Sequence, residues 1–105
     1  SPYARAQQSC DVAMTFLPHL TGQSRHIADF LTPGSNPQRA IDWLLTQPID
    51  SSVLLVTHQP LVGTLLDELG GFEAGRYRMG TGALAYLQLP LVGRGQANLV
   101  WLKHP

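Results

Sequence analysis

The sequence predicts an α/β fold, and three observations support it. Two stretches combine a helix-capping residue and a proline with apolar residues at a 3.6-residue period. A short apolar run between helices is typical of a buried strand, and two adjacent strand-like runs close the chain. This order indicates an α/β sandwich with a partly parallel sheet and an antiparallel edge strand. The 105 residues are enough for a single small domain.

The first helix is predicted from Ser1-Pro2 to about Leu17. Serine is a favourable N-cap and proline suits the first helical position. The pattern breaks at Pro18, and a short extended segment is expected at 27–31. The predicted buried face of this helix comprises Tyr3, Ala6, Cys10, Ala13, Met14 and Leu17.

Two further helices are predicted from the same kinds of signal. Asn36-Pro37 repeats the cap and proline, and that helix ends before Pro48. Another helix is expected from Pro60 to the glycine pair Gly70-Gly71. The predicted buried residues are Ala40, Ile41, Leu44, Leu45, Leu61, Val62, Leu65, Leu66 and Leu69.

Three strands are predicted. The stretch 52–57 is apolar and rich in branched residues toward its end, which is typical of an inner strand buried on both faces. The runs 83–89 and 97–102 are expected to form two adjacent strands joined through 90–95.

Composition excludes several classes of protein. Seven basic and seven acidic residues balance without clustering, which argues against a nucleic-acid partner or a membrane-binding patch. All apolar runs are shorter than the roughly 20 residues of a membrane-spanning helix. With Cys10 as the single cysteine, neither an intrachain disulfide nor a multi-thiolate zinc site can form. We therefore expect a cytoplasmic protein without a signal peptide, metal or other cofactor.

His58 is the first candidate site residue, because it follows the predicted inner strand and precedes a helix. In open α/β sheets, ligands bind beyond the carboxyl ends of the strands. Gln59 precedes a proline and so favours extended geometry, which should hold His58 near the N–H groups that begin the Pro60 helix and attract phosphate. The alternative is a histidine that only closes the strand through backbone hydrogen bonds, and position alone does not separate the two.

Arg5 is the second candidate. It lies in the first turn of a predicted helix, where the macrodipole disfavours a cation, and a bound anion would offset that cost. Its guanidinium group can hold phosphate oxygens in a bidentate fork. Taken alone, however, Arg5 favours a solvated surface position over a functional one.

Several segments resemble the motifs of one family. Ser1-Pro2-Tyr3-Ala4-Arg5-Ala6-Gln7-Gln8-Ser9 is similar to the SPxxRAxQT helix start of the histidine phosphatase superfamily, which has the phosphoglycerate mutase-like fold. Thr57-His58-Gln59-Pro60-Leu61-Val62 is similar to its second-histidine motif. Leu31-Thr32-Pro33-Gly34 and the strand entry Thr81-Gly82-Ala83 resemble the small phosphohistidine phosphatases of the SixA type. The resemblance spans nearly the whole chain.

The resemblance implies one histidine phosphatase domain over residues 1–105, built as a three-layer α/β/α sandwich with a mostly parallel sheet and an antiparallel edge strand. Members of the family have a pocket of two histidines and two arginines, in which one histidine attacks phosphorus and water then releases phosphate. Here Arg5 would bind phosphate and His58 would be the second histidine, which stabilises the transferring group. Gln59 and Thr81 would be further substrate-binding residues.

One family motif is not found. The nucleophile of the family lies in an Arg-His-Gly sequence on the first strand, and these 105 residues contain no Arg-His-Gly. Arg25-His26 is followed by Ile27 and lies downstream of Arg5, so we do not assign it as the nucleophile. Either the segment precedes Ser1 in the full protein, which a start other than methionine favours, or the protein is a non-catalytic remnant. In the first case the 105 residues lack the first strand, are inactive alone and expose the apolar surface that the strand would cover.

The position before the second helix bears on the substrate. Relatives that act on phosphate esters commonly place an acid there to protonate the departing oxygen, whereas this chain has Phe30, and Asp29 would point to the other face of an extended segment. A phosphohistidine has a better leaving group and depends less on protonation by an acid. We therefore expect the substrate to be a phosphohistidine on a signalling or phosphotransfer protein. A small-molecule phosphomonoesterase and a non-catalytic phosphate- or protein-binding module are the alternatives.

The other conspicuous side chains are expected to have structural or surface positions. Cys10 should be a small core residue without catalytic reactivity. We expect the histidines His19, His26 and His104 to be exposed, the tryptophans Trp43 and Trp101 to pack, and the loop arginines Arg76 and Arg78 to be solvated.

Overall fold

The computed structural model describes residues 1–17, 25–48, 50–73, 75–76 and 79–105. Over these residues it contains the helices α1 (Ala4–Phe16), α2 (Pro37–Leu45) and α3 (Leu61–Gly70), a 3₁₀ turn at Asp29–Leu31, and the strands β1 (Leu84–Gln88) and β2 (Asn98–Lys103). The predicted mixed α/β class is confirmed. The sheet of the described residues has two antiparallel strands, so the predicted parallel part is not observed. The predictions for Pro18, His19 and Arg78 lie outside the described residues.

Helix α1 begins later than predicted, at Ala4, and its N-cap residue Tyr3 makes no side-chain capping bond. Ser1 is held outside the helix, because its nitrogen donates a hydrogen bond to the carbonyl oxygen of Val56 at 2.9 Å. The Ser1 hydroxyl instead accepts from the nitrogen of Tyr3 at 3.3 Å. On the predicted buried face, Ala6 is buried and Cys10 is half-buried, but Tyr3 is 51% exposed, so the prediction for Tyr3 is wrong.

The predicted capping signals of α2 and α3 are confirmed. The Asn36 side chain accepts a hydrogen bond from the nitrogen of Gln38 at 2.9 Å and so caps α2, whose first residue is Pro37. The C-cap residue of α3 is Gly71, which has a φ of 68° that favours glycine. A Cβ atom at Gly71 would lie 2.9 Å from the Cα of Gly95, so the approach of these two backbones also requires glycine.

The predicted inner strand at 52–57 is wrong. This stretch has no hydrogen-bonded neighbouring strand among the described residues, and a strand exists only through such pairing. Val53 and Leu54 are 40% and 43% exposed, whereas Leu55 packs against the core. The segment is fixed at its end by the hydroxyl of Thr57, which donates to the carbonyl of Leu31. The predicted extended segment at 27–31 likewise ends in the 3₁₀ turn.

The two predicted strands at the end of the chain are confirmed as an antiparallel pair, with an irregularity in register between Tyr86 and Leu87. The segment before β2 is tied to the carboxyl end of α3. The nitrogen of Gly95 donates to the carbonyl of Glu68 at 3.0 Å, and that of Ala97 to the carbonyl of Leu69 at 2.9 Å. These bonds satisfy carbonyls that a helix end otherwise leaves unpaired.

The core lies between α2, α3 and the strand pair. Helix α3 contributes Leu61, Leu65 and Leu69 to this core, at one-turn spacing along one face of the helix. No helix of the described residues is both long and apolar enough to cross a membrane. The buried cluster comprises Leu31, Ala40, Ile41, Leu61, Leu65, Leu69 and Ala97.

Candidate functional site

The chain start and the segment before α3 meet, although they are 55 residues apart in sequence. The Ser1 nitrogen binds the carbonyl of Val56, and the ring of Tyr3 lies against the ring of His58 with centroids 5.3 Å apart and planes inclined by 50°. The first turn of α1, which carries Arg5, therefore begins beside His58. The two motifs singled out in the sequence belong to one region of the molecule.

His58 is half-buried at the point where the extended segment turns into α3. Its carbonyl oxygen accepts a hydrogen bond from the nitrogen of Val62 at 2.9 Å, which fixes the backbone. The Nε2 atom of the side chain is buried and has no hydrogen-bond partner among the described residues. Buried polar atoms are normally paired, and unpaired ones are found at binding and catalytic sites. Backbone closure therefore does not account for the imidazole of His58.

Gln59 makes hydrogen bonds within the protein through both ends of its side chain. Its Oε1 accepts from the nitrogen of Gly63 at 3.1 Å, and its Nε2 donates to the carbonyl of Met79 at 2.9 Å. With the bond from Val62 to His58, two N–H groups at the start of α3 are occupied. The expectation that these donors are available to phosphate is therefore wrong for Val62 and Gly63. Gln59 joins the start of α3 to the loop that precedes β1.

We expect Gln59→Ala to lower the free energy of unfolding by about 1–2 kcal/mol, because it leaves the nitrogen of Gly63 and the carbonyl of Met79 without these partners. Urea unfolding followed by circular dichroism measures the change. Gln8→Ala, at an exposed position of α1, is the control and should alter stability by less than about 0.5 kcal/mol. Unchanged stability together with weaker substrate binding would instead assign Gln59 to the substrate.

Arg5 lies in the first turn of α1 and is exposed. The described part of the chain gives its guanidinium group neither an ion pair nor a hydrogen bond. The first turn of α1 also contains no acidic residue. A cation at this positive end of a helix is electrostatically unfavourable unless an anion binds to it. The guanidinium group of Arg5 is thus available to an anionic ligand.

Thr81 is exposed in the turn that leads into β1, where the nitrogen of Ala83 donates to the carbonyl of Gly80. This turn reaches the site through Met79, which accepts the bond from Gln59. An open groove of about 470 Å³ runs between the loop and α3. Thr81 is not among the residues that line it, which are Gln59, Pro60, Gly63, Thr64, Asp67, Gly75, Met79 and Gly80.

The side chains of Phe30 and Asp29 lie in different environments. Phe30 packs against the core and against Trp43, with ring centroids 5.9 Å apart. Asp29 has an 83% exposed side chain and pairs with Arg39 at 3.4 Å. The position before α2 therefore presents an apolar ring to the interior and a carboxylate to solvent, although the two residues lie in a 3₁₀ turn and not in the predicted extended segment.

Asp67 is a candidate residue that the sequence did not indicate. It is buried on α3 and lines the groove, and its Oδ1 atom has no hydrogen-bond partner among the described residues. Helical periodicity places Asp67 away from the apolar face of Leu65 and Leu69, and so predicts an exposed side chain. The available signal was Gly63, one turn earlier, because a Cβ atom there would lie 2.8 Å from Oε1 of Gln59, whose side chain covers this side of α3.

The remaining predictions concern packing and exposure. His26 and His104 are exposed as predicted. Trp101 is half-buried, packs edge to face with Tyr86 and lies under the ammonium group of Lys103 at 4.9 Å. Arg76 is exposed, with its guanidinium carbon 6.0 Å from the ring centroid of Phe72.

Comparison of the chain with protein-family models, with curated proteins and with solved structures finds no match.

Proposed function

We propose that the protein is a cytoplasmic phosphohistidine phosphatase of the SixA type within the histidine phosphatase superfamily. The observation that carries the proposal is the meeting of the two motifs, through the bond from Ser1 to Val56 and the contact of Tyr3 with His58. Both resemble motifs of the same family, and Arg5 and the Nε2 of His58, which have no partner among the described residues, supply the groups that such a pocket needs. The full domain is then the three-layer sandwich of that family.

The chemistry assigned to these residues is electrostatic. Phosphoryl transfer depends chiefly on positioning and on cationic donors around the equatorial oxygens, and less on a strong base. The guanidinium group of Arg5 binds two phosphate oxygens, and the imidazole of His58 donates a hydrogen bond to a third. No metal ion takes part in this scheme.

The attacking group is a histidine of an Arg-His-Gly segment that these 105 residues do not contain. Its ring nitrogen forms a bond to phosphorus while the P–N bond of the substrate breaks, and the substrate histidine leaves with a proton. Water then attacks the enzyme phosphohistidine and releases inorganic phosphate. The proposal therefore applies to a full-length protein that includes this segment.

The environment of Phe30 supports phosphohistidine over phosphate esters as the substrate. An ester oxygen leaves poorly unless an acid protonates it. Phe30 cannot supply a proton, and the carboxylate of Asp29 lies in solvent and pairs with Arg39. An imidazole leaves more readily, so the absence of an acid at this position is tolerated.

The test compares two substrates of the full-length protein, a phosphohistidine-containing phosphotransfer protein and phosphoserine, an alkyl ester whose oxygen needs protonation to leave. We expect kcat/KM for the phosphohistidine protein to exceed that for the ester by at least about 100-fold, the usual contribution of the missing acid to ester hydrolysis. Phe30→Asp should narrow the ratio by accelerating ester hydrolysis, whereas Phe72→Asp, elsewhere in the chain, should not. A preference for the ester would favour a small-molecule phosphomonoesterase.

A non-catalytic phosphate-binding module is the second candidate, and the lack of Arg-His-Gly in these residues favours it. Such a module would bind inorganic phosphate through Arg5 and His58 without turnover. Calorimetric titration with phosphate, combined with the absence of hydrolysis by the full-length protein, would identify it.

A further inference from the structure

Asp67 is an unusual carboxylate because it is only 6% exposed and is not fully paired. Its Oδ2 atom accepts a hydrogen bond from the nitrogen of Gly75 at 2.9 Å. Its Oδ1 atom is buried and has no hydrogen-bond partner among the described residues. Burying an ionised carboxylate is costly unless a cation or several donors compensate it. One backbone N–H group is weak compensation.

The position of Asp67 on α3 increases that cost. The helix ends at Gly70, and the dipole of a helix makes its last turn electrically negative. Glu68, the next residue, has a compensating cation, since it pairs with Arg94 at 2.5 Å. Asp67 has no ion pair within the described part of the chain. In the part of the chain that the structure describes, the carboxylate of Asp67 therefore lacks a compensating cation.

Asp67 lines the open groove of about 470 Å³, which begins at Gln59 and passes Gly63 and Met79. The groove therefore runs along α3 from Gln59, the residue that follows His58, to Asp67. From Pro60 to Asp67 the helix advances about 10 Å, at 1.5 Å per residue. A ligand that contacts Asp67 in this groove extends along α3 toward Gln59.

The chemistry favours an organic cation over a metal ion. Calcium and magnesium require six or more oxygen ligands, several of them from the protein. The described residues contain no group of three His, Cys, Asp or Glu side chains that could hold a metal ion. A guanidinium or ammonium group needs only one carboxylate oxygen and fits an apolar groove with its aliphatic stem.

We propose that this groove receives a basic side chain of the protein substrate, an arginine or a lysine, whose cation binds Oδ1 of Asp67. The inference rests on the proposed phosphatase function, because that function places the phosphohistidine at His58. The rise of about 10 Å from Pro60, two residues after His58, to Asp67 corresponds to about three residues of extended chain. The basic residue therefore lies about three positions from the phosphohistidine of the substrate.

The first experiment measures kcat and KM of the full-length protein on phosphohistidine peptides with arginine or alanine three residues before or after the phosphohistidine. We expect arginine on one side to lower KM about 10-fold and to leave kcat unchanged, as a charge-assisted bond made equally in ground and transition states does. Asp67→Asn should abolish this difference, while Asp42→Asn, which alters an exposed carboxylate of α2, should preserve it. Equal KM values for the peptides in the unmodified protein would overturn the proposal, as would a preference that survives Asp67→Asn.

The second experiment does not depend on catalysis. N-acetyl-arginine amide is titrated into the full-length protein, and the amide resonance of Gly75 is followed by NMR. We expect a saturable shift that is lost in Asp67→Asn. The substitution keeps an acceptor for the Gly75 nitrogen and removes an uncompensated charge, so this variant should melt no lower than the unmodified protein.

The two experiments separate this inference from the function on which it rests. A saturable shift at Gly75 in a protein that hydrolyses no phosphohistidine supports the cation site and overturns the phosphatase assignment. Hydrolysis without a shift and without a preference for arginine overturns the cation site alone.

Discussion

His58→Ala in the full-length protein is expected to lower kcat for phosphohistidine hydrolysis by at least about 100-fold, as removal of a group that stabilises transition-state charge does. No hydrogen bond within the described residues accounts for the imidazole, since its buried Nε2 has no partner among them. KM should change much less, because the proposed hydrogen bond strengthens as charge develops on the phosphoryl oxygens. Single-turnover phosphate release measures the chemical step directly.

His26→Ala is the matched control for His58→Ala, because His26 is exposed and should be replaceable without loss of activity. His58 also contacts Tyr3, so a fold defect must be distinguished from a catalytic one. His58→Asn retains a hydrogen-bond donor and should fold as the unmodified protein does while remaining impaired. Turnover close to that of the unmodified protein in a folded His58→Ala variant would remove His58 from the site.

Arg5→Ala is expected to have a comparable effect of at least about 100-fold on kcat/KM, because it removes a cationic donor to the phosphoryl oxygens. It should also weaken competitive inhibition by inorganic phosphate, since the ground-state anion is bound by the same group. Arg5→Lys retains the charge but not the bidentate fork, and an intermediate loss is expected. Steady-state kinetics with phosphate as inhibitor measures both effects.

Arg39→Ala is the control for charge, since Arg39 is an exposed arginine that pairs with Asp29 on the surface. Arg5 makes no contact that stabilises the described fold, and its replacement relieves an unfavourable cation at the start of α1. Its loss should therefore leave thermal stability unchanged or slightly higher. A variant that melts lower and binds phosphate normally would assign Arg5 a structural role.

The parts of the fold that local chemistry determines were predictable from the sequence. Asn36 and Pro37 define the start of α2, and Gly71 ends α3 through a conformation that suits glycine. The strand pair follows from branched and aromatic runs separated by turn residues. Each of these signals acts between residues a few positions apart. That is why they can be interpreted without a structure.

The structure of the stretch 52–57 could not be predicted from its composition. Its composition suits a buried strand, but strand formation depends on a neighbour that composition does not supply, and the described residues provide none. Two features of the site could not be predicted from the sequence either. The side chain of Gln59 occupies a donor of α3 that the sequence left free, and Asp67 is covered by a loop that helical periodicity does not describe. Both outcomes depend on contacts between distant segments.

The close approach of Gly71 and Gly95 has a consequence for how this sequence can vary. A side chain at Gly71 would meet the backbone of Gly95, and both residues have a φ near 70°. Substitutions at either position should therefore be selected against in any library that is screened for folded protein. Neither residue lines the groove. Glycine is therefore required at these positions because the strand pair docks on α3. In an alignment, invariance there would be evidence about architecture and would say nothing about catalysis.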